Sequence, residues 1–384
     1  MENFMARETL ADTPPSMDSQ RAANSGVELS VIVPTFNEAS NVAEMVRRLE
    51  TCLAGIAWEV IFVDDNSPDS TAEVVRGIAA QHPQVRCLQR LGRRGLSSAC
   101  IEGFLSSSAA YVAVIDGDGQ HDETILPDML RALRGGGLDI VVGSRYVSGG
   151  GIGNWQEKRA SMSRFATKLS RLVLRGDLAD PMSGFFMFNR TAMSDIFPRL
   201  SGIGFKILVD LFASASRPLR FLELPYGFRE RHAGESKLDN QAVWDFLMLI
   251  ADKKVGHVVP VRFVTFTLVG GLGIPVHLLV MSLAFAMFDA SFIVAQTVAA
   301  LAAMTTNFFL NNVLTYRDRQ LRGWGLLRGW FSFVLACSVG AVANIGISSF
   351  MYDMKFQWVV SAVAGILIGA VWNYAVTALY TWRR

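Results

Sequence analysis

From Phe263 onward the 384-residue chain is almost free of charge over four long stretches: Phe263 to Phe288, Ser291 to Tyr316, Gly329 to Tyr352 and Phe356 to Trp382. Each exceeds the ~20 apolar residues that a helix rising ~1.5 Å per residue needs to cross a hydrocarbon core of ~30 Å. A helix satisfies its backbone hydrogen bonds within itself, as lipid requires, so these stretches predict four transmembrane helices. Buried helices of a soluble core would be shorter and would carry polar faces. A hydrophobic content of 51% and a mean hydropathy of +0.30 agree with a partly membranous chain.

The flanking charges orient the helices. Lys253, Lys254 and Arg262 precede the first; Arg317, Arg319, Arg322 and Arg328 separate the second from the third; Arg383 and Arg384 end the chain. The other two loops carry Asp289, and Asp353 with a single Lys355. The positive-inside rule then places the amino-terminal portion, the middle loop and the C-terminus in the cytoplasm. The first 26 residues are polar and lack an apolar h-region, which predicts a disordered lead and not a signal peptide. Cys52, Cys87, Cys100 and Cys337 show no CxxC spacing, so they are expected as reduced thiols, without a zinc cage or a disulfide framework.

The apolar region also repeats itself. Asn307-Phe308 with Thr315-Tyr316-Arg317 recurs at the same spacing as Asn373-Tyr374 with Thr381-Trp382-Arg383, and Arg328 corresponds to Arg262. Two hairpins of equal length and orientation predict a parallel duplication. Gly270, Gly271, Gly273, Gly365 and Gly369 allow close helix approach. Asn307, Asn311, Asn312, Asn344 and Asn373 are expected mainly as interhelical hydrogen-bonding groups, with lipid headgroup contact as the alternative.

Before residue 262 short β-branched runs alternate with helical patterns. Leu29 to Val33, Trp58 to Val63, Val85 to Gln89, Tyr111 to Ile115 and Asp139 to Ser144 read as strands; Val42 to Leu53 and Thr71 to Ala80 read as helices, the second after a Ser70-x-x-Glu73 capping signal. That is a βαβ series, so a mostly parallel sheet is expected with ligands at the carboxyl ends of its strands. The chain divides into a lead (1–26), an α/β domain (27–238), a juxtamembrane amphipathic helix (239–261) and the four-helix transmembrane domain (262–384). A basic amphipathic helix is expected near 158–175, with Arg159, Arg164, Lys168, Arg171 and Arg175 among Met162, Phe165, Leu169, Leu172 and Val173. It and the 240–255 segment can lie on an anionic membrane surface or cap the globular core.

Acids and an arginine converge on the expected ligand edge. Pro34-Thr35-Phe36-Asn37-Glu38 follows the first strand, Asp64-Asp65 the second, Asp116-Gly117-Asp118-Gly119-Gln120 the fourth, and Arg145-Tyr146 the fifth. VIVPTFNE contains no glycine, which excludes a GxGxxG dinucleotide loop at the first strand. Asp116 and Asp118 are two apart on an extended segment and point the same way, so they can share one hard cation with the neutral oxygen of Gln120. A Mg²⁺ or Mn²⁺ ion held by few carboxylates completes its shell with water and substrate phosphates, which implies a nucleoside diphosphate. The bland alternative is a turn, since Asp and Gly favour turns. His121 is either a ligand or, more in keeping with a hard-metal site, a positioning residue.

VIVPTFNE, VDDNSPDST, DGDGQHDE, GSRYVSGG, NWQEKR, DPMSGFF and RERHAGESKL occur in one order, and together they resemble the polyprenyl-phosphate glycosyltransferases of glycosyltransferase family 2, the dolichol-phosphate mannose synthase type. The similarity runs from about Glu28 to Lys254, and the four apolar helices resemble a GtrA-type membrane domain. The resemblance implies an α/β GT-A nucleotide-sugar fold. It implies that Pro34, Phe36, Glu38, Val63 and Asp65 hold the nucleoside, and that Asp116, Asp118 and Gln120 hold the metal. Arg145, Arg159, Arg231 and Lys237, with Ser236, would receive the acceptor phosphate and the leaving diphosphate. Asp118, Arg159, Arg231 and Lys237 are the catalytic candidates. Asn66 and Ser70 stand where many relatives have glycine.

The activity so implied is transfer of a hexose, mannose from GDP-mannose, to a polyprenyl phosphate at the cytoplasmic face, with inversion. A lipid phosphate, with a second pKa of ~6, is already largely anionic near neutral pH and needs little general-base help. Asp180 and Asp210 are spare carboxylates for that role. Glucosyl transfer from UDP-glucose to undecaprenyl phosphate is the alternative, and a lipid carrier or flippase acting through the repeated helices is the alternative of another class. A processive polysaccharide synthase would carry Gln-x-x-Arg-Trp, whereas Gln156-Glu157-Lys158-Arg159 is followed by Ala160. No nucleic-acid partner is expected, and an oligomer is compatible with the sequence.

Overall fold

The computed structural model describes residues 26–151, 166–174, 176–229, 240–256, 259–288, 291–316 and 319–382. The chain forms two compact units, Met1–Lys253 and Lys254–Arg384.

The first unit is built on a seven-stranded sheet of order β3-β2-β1-β4-β6-β5-β7. Its strands are β1 (Leu29–Thr35), β2 (Trp58–Asp64), β3 (Val85–Gln89), β4 (Tyr111–Val114), β5 (Ile140–Ser144), β6 (Phe186–Asn189) and β7 (Phe221–Pro225). All neighbours run parallel except β6, which is antiparallel to both β4 and β5. The strands are near-continuous apolar runs because both faces are covered. On one face Val31, Val33, Phe62 and Val141 meet α1 (Ala39–Cys52), α2 (Thr71–Ala79) and α4 (Leu126–Arg134). On the other Ile32, Ile61, Val112 and Val142 meet α3 (Leu96–Ser106), the short α5 (Arg190–Met193) and α6 (Ile207–Ser214). Helix α1 buries Val42, Met45, Val46 and Leu49, the spacing of a single helical stripe.

Two local expectations change. Helix α2 starts at Thr71 as expected, but Ser70 does not cap it: Ser70 is left-handed (φ 65°) with no side-chain cap bond. The Asp69 carboxylate does so, accepting from the Thr71 N–H at 3.1 Å and the Thr71 hydroxyl at 2.5 Å. The second change is β6, a strand not expected from the sequence, which begins at Phe186, the last residue of the motif DPMSGFF. Its antiparallel course bridges β4 and β5, which would otherwise not touch.

Of the basic helix expected near 158–175, residues 152–165 and 175 lie outside the described residues, and 166–170 are helical. Ala166, Leu169 and Val173 pack with Met182, Val209, Phe246, Leu249 and Ile250. Helix α7 (Asn240–Val255) therefore turns one face onto the globular core, while Val243 and Leu247 on its other side are exposed.

The second unit contains α8 (Val261–Phe288), α9 (Phe292–Leu310), α10 (Trp324–Asp353) and α11 (Trp358–Val376). Among the described residues four helices are long and apolar enough to cross a membrane. Helices α9 and α11 each run into a π-helical turn, Asn311–Thr315 and Thr377–Thr381, at corresponding positions of the repeat. The residues that follow them, Tyr316 and Trp382, stack with ring centroids 4.1 Å apart and planes 6° from parallel. Two residues equivalent in sequence thus meet face to face. Asn312 locks the contact: its Oδ1 accepts from Trp382 Nε1 at 3.0 Å and from the Leu321 N–H at 2.9 Å. Asn307 and Asn373 lie against glycines of the neighbouring helices, Gly273 and Gly340, where a Cβ would collide with the amide.

Candidate active site

The loops at the carboxyl ends of β1 and β2 are laced together. Asn37 N–H donates to Ser67 Oγ at 2.9 Å, Glu38 N–H to Thr71 Oγ1 at 3.0 Å and Ala39 N–H to Asp69 Oδ2 at 3.1 Å. These bonds satisfy donors at the start of α1 that have no partner within the helix. Asn66 and Ser70 both adopt positive φ, 55° and 65°. This is the backbone that glycine takes without a Cβ penalty, so the departures from glycine are accommodated at some local strain. Asp64 is spent on the loop, accepting from the Ser67 N–H at 3.0 Å and from its hydroxyl at 2.5 Å.

Asp65 faces the other way. Arg90 Nη1 donates to its Oδ1 at 2.6 Å and Gly95 N–H to its Oδ2 at 2.7 Å. Arg90 is almost wholly buried and is also held by Glu102, Ser98 and the Gly95 carbonyl. Burial raises the Asp65 carboxyl above its usual range, against the pull of Gly95 and Arg90. The loop anchored in this way carries Arg94, whose guanidinium lies 4.4 Å from the centre of the Phe36 ring. No sequence pattern marks Arg90, because a buried arginine is recognisable only by its partners.

At the end of β4, Asp116 N–H donates to His121 Nδ1 at 3.1 Å, and His121 Nε2 lies 3.7 Å from Asp116 Oδ2. The imidazole is buried among Phe185, Tyr226 and Phe228. Burial pulls its pKa down to about 4, with Asp118 opposing, so the ring is neutral at physiological pH. Gly184 lies beneath Asp116: a Cβ there would stand 2.9 Å from Oδ2. Asp118 accepts the Gln120 N–H at 3.2 Å. The Gln120 amide nitrogen donates to the Arg229 carbonyl at 3.1 Å, and Arg229 N–H returns a bond to Gln120 O at 2.9 Å.

Pro34, Phe36, Glu38, Asp65, Asp116 and Asp118 line one cavity of about 250 Å³, with Leu96 and Ala99 of α3. Six residues expected to hold donor and metal are thereby brought together from three separate stretches of chain. Val63 is not among them: its side chain is wholly buried in the core on the α3 side of the sheet. Gln120 is tied to Arg229, and Oε1 is the end of its amide not used in that contact. Among the described residues no group of three or more His, Cys, Asp or Glu side chains is arranged to hold a metal. Two carboxylates and an amide oxygen nevertheless suit a hard divalent ion that takes its remaining ligands from phosphate and water. The missing Cβ at Gly184 leaves the Asp116 carboxylate the room it occupies.

Arg145, expected to receive phosphate, is paired within the domain with Asp180. Its Nε and Nη2 donate to Asp180 Oδ2 and Oδ1 at 2.7 and 2.8 Å, and its N–H to Oδ2 at 3.1 Å, with both side chains buried. Burial opposes the guanidinium charge, but Asp180 more than offsets this and raises its pKa. Asp180 is therefore a structural counter-ion and not a spare base. Asp210 is likewise committed, accepting from Ser201 N–H, the Ser201 hydroxyl, Gly202 N–H and Ser214 Oγ and pairing with Lys253 at 2.6 Å. Both acids are fully buried. Arg159, Arg231, Ser236 and Lys237 lie outside the described residues.

The glycosyl transferase family 2 model matches residues 30–197, and that of the GtrA/DPMS transmembrane domain matches residues 265–382. A dolichol-phosphate mannosyltransferase of Pyrococcus furiosus is 31% identical over 362 residues, 93% of this chain and 99% of that protein. One from Saccharomyces cerevisiae is 33% identical over 255 residues, 62% of this chain and 93% of that protein. A crystal structure of glucosyl-3-phosphoglycerate synthase from Mycobacterium tuberculosis, with Mn²⁺, UDP and glucosyl-3-phosphoglycerate, is 18% identical with a TM-score of 0.44, over 63% of this chain and 85% of that one. The chain belongs to glycosyltransferase family 2, as a membrane glycosyltransferase of the dolichol-phosphate mannosyltransferase type with a GT-A domain and a GtrA/DPMS transmembrane domain.

Proposed function

We propose that the chain transfers mannose from GDP-mannose to a polyprenyl phosphate of the dolichyl type, at the cytoplasmic face of the membrane and with inversion at the anomeric carbon. The observation that carries this reading is the likeness to dolichol-phosphate mannosyltransferase along nearly the whole length of both chains. It is supported by the cavity that joins Asp65 and Phe36 to Asp116 and Asp118. The positive residues beside the apolar helices support the cytoplasmic orientation.

Phe36 and Pro34 offer the nucleoside an apolar surface, and Asp65 and Glu38 offer it acceptors. Asp116, Asp118 and Gln120 would hold Mg²⁺ or Mn²⁺, which when bound neutralises charge on the departing diphosphate. His121 keeps the Asp116 backbone in place from the side away from solvent. The acceptor is an anion already, so no side chain has to remove a proton, in keeping with the structural commitment of Asp180 and Asp210. Attack by a phosphate oxygen forms its bond to the anomeric carbon as the bond to the nucleoside diphosphate breaks, which inverts the configuration in one displacement. Arg159, Arg231, Ser236 and Lys237 are proposed to bring the two polyanions together, since guanidinium forks match phosphate oxygens and lysine adds a point charge.

The test is a panel of radiolabelled nucleotide sugars offered to the purified chain in detergent with dolichyl or undecaprenyl phosphate. A chloroform-extractable mannolipid from GDP-mannose, with its anomeric configuration opposite to the donor's by NMR, is the expected product. Glucolipid from UDP-glucose, polymer, or lipid movement across vesicles without turnover would each replace this reading with the corresponding alternative.

A further inference from the structure

The Gln120 side chain has two chemically opposite ends, and a residue 109 positions away selects between them. Beyond Pro225 the chain continues β7 alongside the stretch that follows β5. The Tyr226 N–H donates to Ser144 O at 3.2 Å, the Gly151 N–H to Tyr226 O at 3.2 Å and the Phe228 N–H to Gly151 O at 3.0 Å. This extension delivers Arg229 to the loop after β4. There the Arg229 N–H donates to Gln120 O at 2.9 Å, and the Arg229 carbonyl accepts the Gln120 side-chain nitrogen at 3.1 Å. A carbonyl takes a hydrogen bond only from the NH₂ end of an amide, so Oε1 is the end left for another partner.

The guanidinium of the same arginine fastens the loop a second time. Its Nη2 donates to Asp122 Oδ1 at 2.6 Å and its Nη1 to Glu123 Oε2 at 2.7 Å. Both acids are themselves held. Asp122 accepts the Thr124 N–H at 3.2 Å and the Thr124 hydroxyl at 2.7 Å, and Glu123 is buried with Arg48 Nη1 4.0 Å from its carboxylate. Arg229 thus grips Gln120 through its backbone and the next two residues but one through its side chain. The Arg229 and Asp122 side chains stay partly exposed, and ion pairs of that kind add little to stability. The geometry they impose on the loop is the larger consequence.

We propose, resting on the assignment of Gln120 to the divalent ion, that Arg229 is a positioning residue of the metal site. Its fork on Asp122 and Glu123 keeps its carbonyl over the Gln120 NH₂, which leaves Oε1 for the ion that Asp116 and Asp118 share. Without that fork the amide is free to turn over and offer a donor to a cation, which opposes binding. The nucleoside contacts expected of Phe36 and Asp65 lie on other loops, so the effect falls on the metal.

The test is equilibrium binding of Mn²⁺ in the presence of GDP, read without turnover from the loss of the free-ion EPR signal. Full-length wild type, Arg229→Met, Gln120→Ala and the double variant are compared in detergent. Groups that orient a metal ligand are typically worth about 10–100-fold in metal affinity, so Arg229→Met should weaken Mn²⁺ binding within that range. Gln120→Ala should weaken it too, and the double variant should bind no worse than Gln120→Ala alone, because Arg229 acts through that side chain. The thermal midpoint without metal should stay near wild type in Arg229→Met. Arg229→Lys, which can meet one acid but cannot fork across two, should fall between, and it carries the comparison if Arg229→Met does not fold. Wild-type Mn²⁺ affinity in the Arg229 variants beside weak binding in Gln120→Ala overturns the proposal and leaves the metal assignment standing. Losses that add in the double variant also overturn it, since Arg229 would then act by another route. Unchanged affinity in Gln120→Ala removes Gln120 from the metal site, and the proposal falls with it.

Discussion

Asp116 donates its backbone N–H to His121 Nδ1 at 3.1 Å, and Nε2 of the same ring lies 3.7 Å from the Asp116 carboxylate. The imidazole fixes the backbone of the first acid in the Asp-Gly-Asp sequence. Replacing it by His121→Phe keeps an aromatic ring among Phe185, Tyr226 and Phe228 but removes the acceptor. A buried N–H left unpaired costs about 1–3 kcal/mol, so a lower thermal midpoint is expected together with reduced turnover. Differential scanning fluorimetry and the mannolipid assay measure the two effects; a variant equal to wild type in both would refute the positioning role.

Asp118→Ala is expected to abolish transfer and the dependence on divalent ion together, while the midpoint stays near wild type. Asp118 accepts the Gln120 N–H, a local bond two residues along the chain. Titrating Mg²⁺ and Mn²⁺ against turnover checks this, and near-normal turnover at saturating substrates would remove Asp118 from the metal site.

Gly184→Ala places a Cβ 2.9 Å from Asp116 Oδ2. Since real Cβ atoms do not approach so closely, the carboxylate or the loop must shift. Turnover should fall roughly tenfold or more, because displacements on the order of 1 Å near reacting groups have that effect. The fall should be larger in kcat than in overall stability, as kinetics alongside a melting curve would reveal.

The Arg145–Asp180 pair is buried on both sides. Removing one partner leaves an uncompensated charge and costs about 3–5 kcal/mol. Asp180→Asn and Arg145→Met should each destabilise strongly, and the double variant should lose less than the two singles combined. A double-mutant cycle on thermal or denaturant unfolding measures that coupling; simple additivity would show that the pair is not coupled.

Acid should unfold the first unit partly through Asp139. Burial pushes its carboxyl up, but hydrogen bonds from Arg217 at 2.7 Å and Arg220 at 2.9 Å outweigh this and hold it well below the usual range. A carboxylate with a lower pKa in the folded state stabilises above its unfolded value of ~3.9 and loses that contribution as pH falls. Midpoints should therefore drop from about pH 5 downward, and Asp139→Asn should flatten that slope while lowering stability at neutral pH.

The sequence by itself determined the two-part architecture, because four stretches too long and apolar for a soluble core have one environment open to them. It determined the mostly parallel sheet too, since β-branched runs separated by helical crossovers pair in parallel, and it marked which loops meet at the strand ends. Strand β6 was hidden because its four residues, Phe186 to Asn189, are too short a run to show a period, and its antiparallel place depends on partners distant in the chain. Only the tertiary structure decided what each charge does. Arg145 and Asp180 look equally suited to chemistry in sequence, yet their side chains neutralise one another once β5 and the loop before β6 come together. Val63 follows a strand pattern into the core, and Arg90 reaches Asp65 from a different loop. The physical reason is that period and hydropathy are local properties. The partner of a buried charge is set by contacts between segments far apart in sequence, and it is the partner that decides whether the charge is available to a substrate.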